Sequence, residues 1–164
     1  MTETADNSCA IRPAQAHELT VERRVAAPPA TVRRMWEERI EEWFCPRPWR
    51  MVVDRLDLHP GGVSQMRMLG PDGEDMPNHG IVLEASEHRI VTTDAFQSDW
   101  QPAGPFMVGI WSFDDDGAGG TILRGTARHW TEEACAQHEA MGFAEGWGAC
   151  LDQLKTLAEG GSID

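Results

Sequence analysis

DRLDLHPGGVSQMRMLGPDGEDMPNHG, residues 54–80, reads as two strands hinged on one turn and running into a second. Pro60 supplies a restricted φ, and Gly61-Gly62 the positive-φ freedom that a tight reversal needs. VSQMRML then alternates as a return strand with Met66 and Met68 on one face, and Pro71-Asp72-Gly73 turns the chain again. The pattern is that of an antiparallel sheet, but Met, His, Gln and Arg stand where Val and Ile would pack better. Methionine adapts to irregular shapes. Two readings stay open, ordinary core filling and the wall of a pocket.

Outward from this stretch the same period continues. Upstream, HELTVERRVAA alternates as a half-buried strand until Pro28-Pro29, and Val32, Met35, Trp36, Ile40 and Trp43 follow at helical spacing. Cys45-Pro46-Arg47-Pro48 stops that helix. Downstream, MPNHGIVLEA, SEHRIVTTDAF, FMVGIWSF and TILRGTARHW are further strands, with DDDGAGG a hairpin loop and QSDWQPAGP a looser connection. No helices intervene, which argues for a meander. Thr131 fits a helix N-cap with Glu132 and Glu133 in the first turn. The spacing from there predicts one long helix to Gly160, with Phe143, Trp147, Cys150, Leu151, Leu154 and Leu157 as its apolar stripe. Gly142, Gly146 and Gly148 weaken that helix, which implies either tight packing on the sheet or room for a ligand beneath it.

At 164 residues the chain suits one domain, expected over 17–160, with the polar segment 1–16 expected to be a poorly ordered tail. Fourteen basic residues face 27 acidic ones, and Lys155 is the only lysine. Without clustered cations, neither nucleic acid nor an anionic membrane surface is an expected partner. No apolar run approaches a membrane span. Cys9, Cys45, Cys135 and Cys150 form no CxxC pair. With no signal-peptide pattern at the start, reduced thiols and a cytoplasmic location are the expectation. Cys135 and Cys150 read as small apolar groups on one helix. No P-loop, Rossmann glycine signature, catalytic triad or metal motif is present, so no cofactor or metal is expected.

The element order and several motifs resemble the START-like (SRPBCC) superfamily, in the branch similar to the C-terminal domain of the activator of the ninety-kilodalton heat-shock protein ATPase. The residues that carry the likeness are Trp36 and Trp43-Phe44-Cys45-Pro46, Asp57 before Pro60-Gly61-Gly62, and Pro71-Asp72-Gly73. Gly80-Ile81-Val82, and Gly146-Trp147 with Leu151 and Leu154, complete it. His59 departs from the arginine more usual there. The likeness spans Glu18 to Ala158. It implies an α+β helix-grip fold: a curved antiparallel sheet wrapped around a long C-terminal helix, one or two short helices after the first strand, and a cavity between sheet and helix.

The expected partner is a small apolar or amphipathic molecule, and a homodimer is compatible with the sequence. Candidate ligand-binding residues are Trp43, Trp49, Met66, Met68, His79, Trp111, Arg124, His129, Met141 and Phe143. The parity of FMVGIWSF leaves open which side faces inward, Met107/Gly109/Trp111/Phe113 or Phe106/Val108/Ile110. His79 and His129 could act as an acid–base pair. An alternative function is therefore a cyclase or hydrolase, which requires both imidazoles to face one cavity. His17, His59, His88 and His138 read as surface positions. A third reading, from the family likeness alone, is a chaperone-linked interaction protein.

Overall fold

β1 (Glu18–Val25) is separated by Ala26 and Ala27 from Pro28-Pro29, where the chain enters α1 (Pro29–Glu38) with a proline at its first turn. Proline is harmless there because that N–H has no partner inside the helix. Arg39 leaves helical geometry (φ −120°, ψ 25°), so the amphipathic run continues as a separate turn, α2 (Ile40–Trp43). Val32, Trp36, Ile40 and Trp43 all point into the core. The coordinates, a computed structural model, describe residues 17–163; the expected tail at 1–16 lies outside the described residues.

Seven strands follow one antiparallel order, β1-β9-β8-β5-β4-β3-β2. They are β2 (Arg50–Leu56), β3 (Val63–Leu69), β4 (Asp75–Ala85), β5 (Arg89–Thr93), β8 (Met107–Asp115) and β9 (Thr121–His129) beside β1. The segment read as a loose loop contains a separate two-stranded piece, β6 (Phe96–Gln97) with β7 (Gln101–Pro102), joined by a 3₁₀ turn. Gly61 takes the left-handed φ of 83°, and its N–H donates to the Val82 carbonyl at 2.7 Å. Val82 N–H returns a 2.8 Å bond to Gly62 O, so the Pro-Gly-Gly turn is tied to β4 as well as closing β2 onto β3.

Alternation divides the sheet into two faces. Met107, Gly109, Trp111 and Phe113 face inward, which resolves the parity of β8. The outer face carries arginine–carboxylate pairs across strands: Arg128–Glu18 at 2.6 Å, Arg124 with Glu22 (3.1 Å) and Asp114 (2.9 Å), and Arg67 with Asp54 (2.8 Å) and Asp75 (3.1 Å). Exposed pairs of this kind add only about 0–1 kcal/mol each, but they hold the register of a polar face.

The terminal helix is not continuous. α3 (Glu132–Ala140) is capped by Thr131 Oγ1, which accepts from Ala134 N–H at 3.1 Å. The chain then breaks at Gly142, whose φ of 94° no side chain adopts readily, and restarts as α4 (Phe143–Ala158). Cys135 and Cys150 consequently lie on different helices. α4 lies along the inner face, burying Phe143, Cys150, Leu151, Leu154 and Leu157. Gln153 fastens it to α2: its amide donates to Trp43 O (2.8 Å) and Cys45 O (2.9 Å), carbonyls at the end of that short helix.

Candidate functional site

Between the inner face and α4 lies a recess of about 430 Å³. Its walls come from every layer of the fold: Trp36, Phe44 and Cys45 from the α1–α2 region, Met66 and Met68 from β3, Gly109 and Trp111 from β8, His138 from α3, and Gly146 and Trp147 from α4. The aromatic floor is a packed cluster. Trp43 rests against Trp36 (5.7 Å between ring centroids) and Trp111 (5.2 Å), and Trp111 stacks on Trp147 at 4.7 Å with only 6° between planes. Room for that stack comes from Gly125. A Cβ there would meet Trp111 at 3.0 Å, Trp147 at 3.1 Å and Leu151 at 3.3 Å.

The glycines of the terminal helices serve three purposes. Gly142 makes the break; Gly148 leaves space for the Arg23 guanidinium, 2.8 Å from where its Cβ would lie; Gly146 borders the recess with nothing within 4 Å of a built Cβ.

Of the candidate ligand-binding residues, Met66, Met68 and Trp111 line the recess. Most of the others lie elsewhere. Trp43 is wholly buried behind Trp36 and Trp111, its Nε1–H donating to Trp36 O at 3.1 Å, so it is core. Trp49 packs over Gly70 at the end of β3. Arg124 is on the outer face in its two ion pairs. Met141 is 68% exposed at the helix break. Phe143 is buried against His138 and Trp147, behind the wall.

His79 borders the opening, but it pairs with Gln65 on the outer side of the sheet and is exposed. The nearby Asp54 carboxyl is held below its usual range chiefly by its hydrogen bond from Arg67. His129 is buried. The two imidazoles therefore do not share a cavity, and the acid–base pair is not formed.

The residue that the sequence reading missed is His138. It is buried, lines the recess, and meets His129: His129 Nε2 lies 2.9 Å from His138 Nδ1. His129 in turn is held by the His17 carbonyl, which accepts from both its backbone N–H (2.9 Å) and Nδ1–H (3.0 Å). Burial, and secondarily the neighbouring His129, push the His138 pKa down to about 4. Nothing in EEACAQHEA marks this histidine, since the helix around it carries only small or polar side chains and no apolar stripe.

Other polar groups at the recess are largely engaged. Asp94 Oδ1 accepts from Phe106 N–H (2.8 Å) and Met107 N–H (3.2 Å), and Thr93 Oγ1 donates to Met107 O at 3.1 Å. Trp36 Nε1 is buried with no hydrogen-bond partner among the described residues. The thiols of Cys45 and Cys150 are pushed up by burial, to about 11 and about 12, so neither is a ready thiolate nucleophile. No group of three or more His, Cys, Asp or Glu among the described residues is placed to hold a metal ion. No described helix is long and apolar enough to cross a membrane.

A curved antiparallel sheet closed over a terminal helix, with an aromatic-walled recess between them, defines a START-like helix-grip domain. The chain belongs to the family described as activator of Hsp90 ATPase homolog 1-like protein, whose model matches residues 26–159. A crystal structure of a Nitrosomonas europaea protein is 36% identical and superposes with a TM-score of 0.80, over 85% of this chain and 92% of that one. A Mycobacterium smegmatis protein, 24% identical, covers 88% of this chain and 91% of its own at a TM-score of 0.72. An Arthrobacter aurescens protein, 17% identical, covers 92% of both at 0.77. These last two show likeness of fold alone. A search of curated proteins found no match.

Proposed function

We propose that this protein binds a small, mostly apolar molecule in the recess between sheet and α4. The observation that carries the reading is the recess itself. Its volume of about 430 Å³ lies within the range of small-molecule sites, roughly 300–1,000 Å³. Its walls are aromatic rings and methionines, with a few polar atoms among them. Gly146 withholds a side chain where a Cβ would meet nothing within 4 Å, which a well-filled core would not do.

Native mass spectrometry after incubation with extracts of lipids and aromatic metabolites tests this. The wild-type chain is expected to retain a small molecule. Gly109→Leu, which grows a side chain into the recess beside Thr92 and Trp147, is expected to lose it. An adduct on neither protein, or equally on both, would overturn the reading.

A further inference from the structure

The recess carries, beside the unpartnered Trp36 Nε1–H donor, an acceptor whose polarity the fold determines, and its use rests on the reading that a small molecule occupies the space. The His17 carbonyl can only accept, so His129 Nδ1 must carry a proton. In neutral His129 the remaining nitrogen, Nε2, is then a lone pair. It lies 2.9 Å from His138 Nδ1, which must therefore be the N–H of that ring. His138 Nε2 is left with a lone pair and no hydrogen-bond partner among the described residues, on a side chain that is 8% exposed and lines the recess.

We propose that His138 Nε2 is a hydrogen-bond acceptor set among the aromatic rings of the recess, and that it selects a flat, uncharged, largely apolar ligand bearing a hydroxyl or similar donor. The relay from the His17 carbonyl through His129 sets this polarity; the ligand is the last member of the chain.

Three observations narrow the class. The ring of His138 sits among Phe106 (5.1 Å), Phe143 (5.1 Å) and Trp147 (5.9 Å), so whatever reaches Nε2 lies near aromatic planes. Phe106 comes from the lead-in to β8, Phe143 and Trp147 from α4, and His129 from β9; of these only His129 is titratable. Burial keeps His138 uncharged at neutral pH, and no described Lys or Arg lines the recess, so an acid finds no cation among the described walls. Asp94, which does line it, disfavours an anion further.

The test is calorimetric titration of the full chain with 2-naphthol, its methyl ether 2-methoxynaphthalene, and 2-naphthoate. These share one flat body and differ in donor, capped donor and charge. Naphthol is expected to bind at least about tenfold tighter than the ether, the worth of a buried hydrogen bond of about 1.4 kcal/mol. Naphthoate is expected to bind weakest. His138→Phe should bring naphthol down to the level of the ether and leave the ether within a few-fold. A second measurement needs no variant: long-range proton–nitrogen NMR of the wild type should show His138 protonated at Nδ1, with its Nε2 signal shifting when naphthol is added. Equal binding of naphthol and ether, tighter binding of naphthoate, or an Nε2–H tautomer would overturn this proposal while leaving the binding recess intact. If neither naphthol nor ether binds, the occupied-recess reading falls, and this proposal falls with it.

Discussion

Acid should loosen this fold earlier than its carboxylates alone would, because of one histidine. His138 is buried neutral, with its pKa depressed from 6.5 to about 4 by burial and then by His129. An unfolded chain takes up a proton at that ring as pH falls through about 6.5, while the native chain does so only near 4. The unfolded state thus binds more protons in this window, and stability rises with pH. His138 costs the fold nothing well above pH 6.5, and its destabilising effect grows steadily below. Weighing the two titrations at about pH 5 gives a loss of about 2 kcal/mol relative to neutral pH. In a domain of this size that lowers the melting temperature by about 4–8 °C. Asp54 and Glu84, which arginine hydrogen bonds hold below their usual range, lose their contribution only at lower pH, so they fall outside the window. The assay is urea denaturation at several pH values between about 5 and 7.5, for wild type and His138→Gln. The glutamine amide can still donate toward His129 but does not titrate. The wild-type curve should fall more steeply, by about 2 kcal/mol across the range. Parallel curves would refute the reasoning.

Three further expectations concern packing. Gly146→Ala adds a methyl where a built Cβ meets nothing within 4 Å, so it should stabilise the chain by up to about 1 kcal/mol through helix propensity, seen as a higher urea midpoint. Gly125→Ala places its Cβ 3.0 Å from Trp111 and 3.1 Å from Trp147, so it should destabilise by about 1–3 kcal/mol and alter the near-ultraviolet circular dichroism of the stacked indoles. Gln153→Leu strips both hydrogen bonds from the carbonyls of Trp43 and Cys45, and thermal denaturation should show a loss of about 1–3 kcal/mol.

The fold was legible because its signals are local. Pro60-Gly61-Gly62 and Pro71-Asp72-Gly73 mark turns by backbone chemistry alone, and the helical spacing from Val32 to Trp43 survives the small break at Arg39. The break at Gly142 was not legible, since a glycine inside a helical run weakens it without having to end it, and the apolar stripe opens directly after it at Phe143. The site was legible in part. Alternation correctly groups His79 with Ile81, but both lie on the outer side. Ile81 is nevertheless buried, in the sheet region joined by the Pro-Gly-Gly turn and β6, and no pattern along β4 can anticipate cover supplied by other segments. His138 fails for the same reason in reverse. Its burial is decided by His129 on β9 and Phe106 just before β8, while its own helix offers only small or polar side chains.

α3 has a single buried side chain, that same histidine. A segment anchored at one point can detach without dissolving the sheet, and such sub-global openings need far less free energy than complete unfolding. Amide protons of residues 132–140 should therefore exchange with deuterium well before those of α4. The molecule would then breathe at this one corner, beside His138, while the sheet and α4 keep their packing.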